Sequence, residues 1–134
     1  MGFIMKGFIG NIEKMAEENT FFRKVIYTGK NSQLVVMSLK PKEEIGMEVH
    51  DHVDQFFRIE KGNGKVLIDG KKTVLRSGSG IIVPAGARHN VVNTSAKRPL
   101  KLYTIYSPPE HQDKTVHKTK AQAKEEHFDG KTTE

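Results

Sequence analysis

Apolar residues in this chain come in short, β-prone runs cut by turn formers. "FFRKVIY" (21–27) and "QLVVMSL" (33–39) flank "TGKNS", whose Gly and Asn supply turn chemistry, so the pair predicts a hairpin. Then follow "EIGMEVH" (44–50), "QFFRIEKG" (55–62), "GKVLIDG" (64–70), "KTVLR" (72–76), "GIIVPAG" (80–86), "HNVVN" (89–93) and "KLYTIYS" (101–107), each bounded by Gly, Pro, Asn or Asp. Strands this short and this regularly spaced predict an all-β sandwich or barrel. Asp69 and Gly70 mark a tight hairpin within "IDGKK". "GIIV" and "HNVVN" carry adjacent apolar residues that point to opposite faces, so both faces of those strands are expected to be covered, for example by a second barrel.

Two segments break this pattern. In "NIEKMAEEN" (11–19), Ile12, Met15 and Ala16 fall at helical intervals behind Asn11 as a cap, which predicts one short helix. "SPPEHQDK" stops the last strand, because proline cannot donate to a ladder. Beyond it "KTKAQAKEEHF" (118–128) is helix-prone with little apolar face, and is read as a solvated extension. The expected organisation is an N-terminal segment (1–20), one barrel (21–110) and a polar C-terminal extension (111–134).

Composition narrows the chemistry. With 134 residues the chain suits one compact domain, and with no cysteine it has no thiolate metal site, catalytic thiol or disulfide. No apolar run reaches the roughly 18 residues needed to span a bilayer, and "MGFIMKGFIG" makes a poor secretory signal, so no membrane association and a cytoplasmic location are expected. The formal charge is +6, yet residues 111–134 hold five lysines and five acids, and the excess elsewhere is scattered. Nucleic-acid binding, which needs clustered phosphate contacts, is therefore not expected, whereas a small anionic ligand is compatible.

The candidate chemistry lies in two stretches. Residues 78–93, "GSGIIVPAGARHNVVN", place Gly78, Pro84, Gly86, His89 and Asn93 at the spacing glycine, five residues, proline, one, glycine, two, histidine, three, asparagine. This resembles the second motif of the cupins at every fixed position. The stretch "EVHDHVDQFFRIEKGNG" (48–64) resembles the first cupin motif in part: seven residues before Gly62 stands Gln55 where the family has glutamate. Upstream, two registers are open. Taking His50 and His52 as the histidine pair leaves too few residues before Gln55. Taking His50 as the second histidine gives a fitting gap and puts Glu48 in the first histidine's place, and this register is preferred. Strand geometry bears on the same choice. On one strand face Glu48, His50 and His52 would lie about 7 Å apart in sequence order and about 13 Å end to end, so neighbours can chelate one ion but all three hardly can.

The resemblance implies a jelly-roll double-stranded β-helix with a divalent transition metal (Mn, Fe, Zn, Ni or Co) in the barrel, held by Glu48, His50, Gln55 and His89, with His52 as the alternative ligand. Asn93 and Phe57 are the expected substrate contacts. Phe56, Ile81, Val83, Val91 and Leu102 are read as packing, Asp54 as a turn former, and His111, His117 and His127 as solvent-exposed. From about Phe21 to Lys120 the chain is similar to small single-domain bacterial cupins described as mannose-6-phosphate isomerase-like. That likeness implies a homodimer and a small sugar- or acid-type ligand. Three activities stay open: a metal-dependent isomerase, an Fe(II) oxygenase, suited by two histidines and one carboxylate, and a non-catalytic ligand-binding or regulatory module that has lost its metal.

Overall fold

A computed structural model describes residues 4–134. The expected short helix is present as α1 (Ile12–Glu18), with the Asn11 side chain accepting from the Lys14 amide at 3.0 Å. Nine strands follow: β1 (Arg23–Thr28), β2 (Gln33–Leu39), β3 (Asp54–Lys61), β4 (Asn63–Ile68), β5 (Lys71–Arg76), β6 (Gly80–Val83), β7 (His89–Asn93), β8 (Leu100–Ser107) and β9 (Val116–His117). They form two antiparallel sheets, one ordered β6-β3-β8-β2-β1-β9 and the other β5-β4-β7. This is an all-β sandwich, as the short, turn-bounded runs predict, and it has the jelly-roll form that the cupin resemblance implies.

The turns form for the reasons visible in the sequence. Asp69 and Gly70 both have positive φ, 45° and 84°, as a two-residue hairpin between β4 and β5 demands. Between β1 and β2 the Gly29 amide donates to the Ser32 carbonyl at 2.8 Å. The two sheets bury one core between them, including Met37, Phe57, Ile59, Val66, Val91 and Leu102. Each such side chain contributes about 1.5–3 kcal/mol on removal from water. Ile81 and Val83 join this core, whereas Phe56 lies half-buried outside it, with its ring 6.1 Å from that of Tyr103. β2 is buried along its whole length. Helix α1 packs on β2, β3 and β8, so for this part of the sheet the second covering layer comes from the same chain.

Two expectations are corrected. Residues 44–50 do not form a regular strand. They run beside β7 through isolated bridges at Glu44–Val92 and Glu48–His89. Gly46, at φ 114°, bends the backbone, and its amide donates to the Asn90 side chain instead of a ladder carbonyl. The C-terminal extension is not a solvated helix either. Only Lys120–Gln122 coil, as one 3-10 turn. The rest straps across the barrel: β9 pairs with β1, His111 bridges His127, and the Thr133 amide donates to the Thr28 carbonyl. Such a segment gains its hydrogen bonds by pairing with existing strands, whereas a short isolated helix without an apolar face is marginal in water.

Candidate metal centre

The irregular run beside β7 delivers the site. Mutual backbone hydrogen bonds of 2.9 Å between Glu48 and His89 fix these two residues side by side. The His50 carbonyl accepts from the Gly86 amide at 2.8 Å, which ties the next turn to the loop before β7. The result brings Glu48, His50 and His89 together, with one ligand atom from each lying within 4.8 Å of the others. Glu48 Oε2 is 3.0 Å from His50 Nε2. Two donors each about 2.1 Å from an ion and at right angles would lie about 3.0 Å apart, so this spacing suits neighbouring ligands of one cation.

The ring nitrogens are oriented for that task. His89 Nδ1 lies 3.1 Å from the Ala87 carbonyl and Nε2 3.1 Å from Gln55 Oε1, both acceptors; the neutral ring has one proton for the two, and a metal ion at Nε2 would keep that proton on Nδ1, facing Ala87. Burial first of all, against weaker support from the Ala87 carbonyl and Glu48, lowers the His89 pKa and favours that neutral form. His50 has a partner on each side: Glu48 at Nε2, and Glu110 Oε1 at 3.5 Å from Nδ1. Burial alone would lower the His50 pKa, but Glu110 and Glu48 more than offset it, and it is pushed up to about 9. The chain without metal therefore holds a proton between two carboxylates where a cation would sit.

The other residues singled out in the sequence are not part of this trio. Gln55 is buried beneath His89, with Oε1 3.1 Å from His89 Nε2 and its Nε2 donating to Thr104 at 3.0 Å. Its Oε1 is as near to His89 Nε2 as a neighbouring ligand of one ion would be, so the amide oxygen is placed beside the trio as a fourth donor. His52 is exposed in a turn and does not join it. Phe57 is a core residue whose ring centroid lies 6.2 Å from that of His89, so it backs the histidine from inside the barrel. Asn93, also expected at substrate, is fully buried and fastens loops: its Nδ2 donates to the carbonyls of Leu39, Lys40 and Arg98, and its Oδ1 accepts from Ser95. Both amide hydrogens are thus engaged within the protein, and the residue does not line the cavity. Asp54 caps the Ala85 amide at 2.8 Å.

A cavity of about 360 Å³ is lined by two of the trio, Glu48 and His50, with Glu110 and His111, and by the strap around Lys124 and His127; the buried His89 is not part of its lining. Of the three tail histidines, His127 is exposed as expected, whereas His117 is buried and His111 half-buried. His111 Nε2 meets the Tyr106 hydroxyl at 3.2 Å, and its pKa is lowered to about 3 by burial and then by Arg23. Burial raises that of Tyr106. Glu110 also reaches His127 Nδ1 at 3.2 Å, and it stays ionised: burial opposes this, but His50 and His127 hold its pKa down. Sequence reasoning missed Glu110 and Arg23 because neither belongs to a spacing motif. The one available signal was that "PPEH" resumes polar, ligand-type residues directly after the last strand.

Comparison with known proteins agrees with this architecture. A family model described as the cupin domain matches residues 35–106. YrkC of Bacillus subtilis (strain 168), an uncharacterised protein, is 48% identical over 124 residues, covering 88% of this chain and 66% of YrkC. The chain thus spans about two thirds of that relative's length. The crystal structure of a Bacillus halodurans protein superposes with a TM-score of 0.85 at 42% identity, covering 87% of this chain and 92% of that one. More distantly, a mannose-1-phosphate guanylyltransferase of Escherichia coli (strain K12) is 32% identical over 82 residues, 61% of this chain and 17% of the enzyme.

Proposed function

The chain belongs to the cupin family, and from that premise we propose that it holds a divalent transition metal at Glu48, His50 and His89 and binds a small polar or anionic molecule there. The observation that carries this reading is the convergence of one carboxylate and two imidazoles within 4.8 Å of one another, two of which, Glu48 and His50, line a cavity. Such a donor set suits Fe(II), Mn(II), Co(II), Ni(II) or Zn(II). When bound, the ion supplies Lewis-acid polarisation of a ligand oxygen.

The chain's own groups do the rest. Glu110 Oε1, 3.5 Å from His50 Nδ1, favours a proton on that nitrogen and so leaves Nε2 for the ion, as a carboxylate behind a metal-binding histidine does. The Ala87 carbonyl does the same for His89. The likeness to part of a mannose-1-phosphate guanylyltransferase supports a sugar-phosphate type of ligand, and an isomerase is one chemistry such a ligand would suit at a Lewis-acid metal. An Fe(II) oxygenase is the alternative chemistry of the same donor set, and it alone requires O₂. The metal-free binding module is favoured by one observation, that His50 has a carboxylate on each side, Glu48 and Glu110.

Metal analysis by inductively coupled plasma mass spectrometry decides first. The tag-free chain, purified without chelators, should carry near one equivalent of a transition metal. Glu48→Ala and His89→Ala should lose it, and His52→Ala should retain it. Less than about a tenth of an equivalent, persisting after incubation with Fe, Mn, Zn, Ni and Co, would refute the metal site.

A further inference from the structure

The cavity holds one charged group that the metal trio does not account for. Arg23, on β1, shares the cavity wall with Glu48, His50 and Glu110, yet its side chain is buried, with the residue 5% exposed. Its Nη1 lies 3.3 Å from His117 Nδ1, and its guanidinium sits 5.1 Å from the centroid of the Phe22 ring. Its Nε is buried without a hydrogen-bond partner. Arg58 shares that last feature but has Glu60 Oε1 at 3.3 Å, whereas among the described residues no carboxylate pairs with Arg23.

A guanidinium cannot shed its proton, and a buried charge without a counter-ion costs several kcal/mol. The nearby carboxylates are already engaged: Glu48 by His50, and Glu110 by His50 and His127. On the strap, Lys120 and Lys124 offset Glu125 and Glu126. Among the described residues, then, no carboxylate of the cavity wall serves as counter-ion to Arg23. A guanidinium's fork of donors matches the paired oxygens of a carboxylate or phosphate.

We propose that Arg23 is the anion-binding residue of this cavity, and that the ligand is a small molecule whose carboxylate or phosphate pairs with the guanidinium while a second oxygen would meet a metal ion held by Glu48, His50 and His89. The second half rests on the metal reading; the pairing with Arg23 does not. Apolar Phe22, Ile45 and Met47 line the same space, so the body of such a ligand meets an apolar wall.

The test is a nuclear magnetic resonance titration of the full, ¹⁵N-labelled chain with inorganic phosphate and, separately, with succinate, each in metal-free and zinc-incubated protein. The Arg23 Nε–H signal should shift saturably with at least one of the two anions, and which one assigns the class. Arg23→Gln should weaken that binding by about tenfold or more, with Arg23→Lys intermediate. An Nε–H signal that ignores both anions, or an unchanged affinity in Arg23→Gln, overturns the inference. The wild-type signal decides even if the variants fail to fold. A chain that binds phosphate through Arg23 but takes up no zinc would refute the metal site alone. Uptake of zinc with an unresponsive Arg23 would refute the anion site alone.

Discussion

Glu110 shows how one side chain sets the character of the site. Its carboxylate stands behind His50, and the proton it favours on Nδ1 is what leaves Nε2 free for a cation. Glu110→Gln keeps the shape but loses the charge, and should weaken metal affinity by about 10–100-fold, the usual cost of removing such a partner, measured by competition with a chelating dye. An unchanged affinity would mean that Glu110 does not orient His50. Gln55 presents the opposite situation. The family motif has glutamate at that position, and here the amide reaches His89 and Thr104 instead. That residue was legible as a departure from the pattern, but its partners were not, because they come from β7 and β8, far along the chain.

At the scale of elements, the strap and β2 depend on one another. Gln33, at the start of β2 and buried, donates from Nε2 to Thr28 and to the His111 carbonyl, while its Oε1 accepts from the amides of Glu110 and His111. One side chain thereby fastens the residue that carries the Glu110 carboxylate. Gln33→Ala leaves several buried polar groups unpaired, each costing about 1–3 kcal/mol, so urea unfolding should show a loss of about 2–4 kcal/mol. Metal affinity should fall with it, because Glu110 loses its anchor. A stable variant with unaltered affinity would refute this coupling. Local pattern located α1 and the strands from β1 to β8, since burial imposes their runs of apolar residues. It misread 44–50 as a strand because Gly46 breaks the ladder in a way that only its contact with Asn90 makes favourable. It misread the tail because the pairing partner, β1, is distant in sequence.

At the scale of the whole molecule, two histidines pull stability in opposite directions with pH. In the folded, metal-free chain His50 keeps its proton up to about 9, against 6.5 when unperturbed. Its contribution is complete below about 6.5 and is lost as the pH rises through 9. His111 is held down at about 3 against the same 6.5. The unfolded chain therefore takes up a proton that the folded chain refuses, and stability falls as the pH drops from about 6.5 towards 3. His89 and His117, both lowered first by burial, act in the same direction as His111. The melting temperature of metal-free protein should peak near pH 6.5, and His50→Gln should flatten the alkaline side; a melting temperature that climbs steadily to pH 9 would contradict this. Among the described residues no helix is long and apolar enough to cross a membrane.

The sequence by itself determined the sheet class, the hairpin at Asp69–Gly70, the capped helix and the second cupin motif. Each of these depends on neighbours within a few positions: periodic burial, backbone freedom at glycine and a capping side chain are local physics. It also narrowed the charged candidates to Glu48, His50, His52 and His89. Only the tertiary structure decided which of them meet. The Glu48–His89 backbone pairing and the turn after His50 put three together and left His52 in solvent, while Asn93 was drawn into fastening loops. Glu110 and Arg23 entered the cavity through strand pairings spanning most of the chain. Such contacts leave no period or spacing in the sequence, because they arise from packing between segments whose separation along the chain is arbitrary.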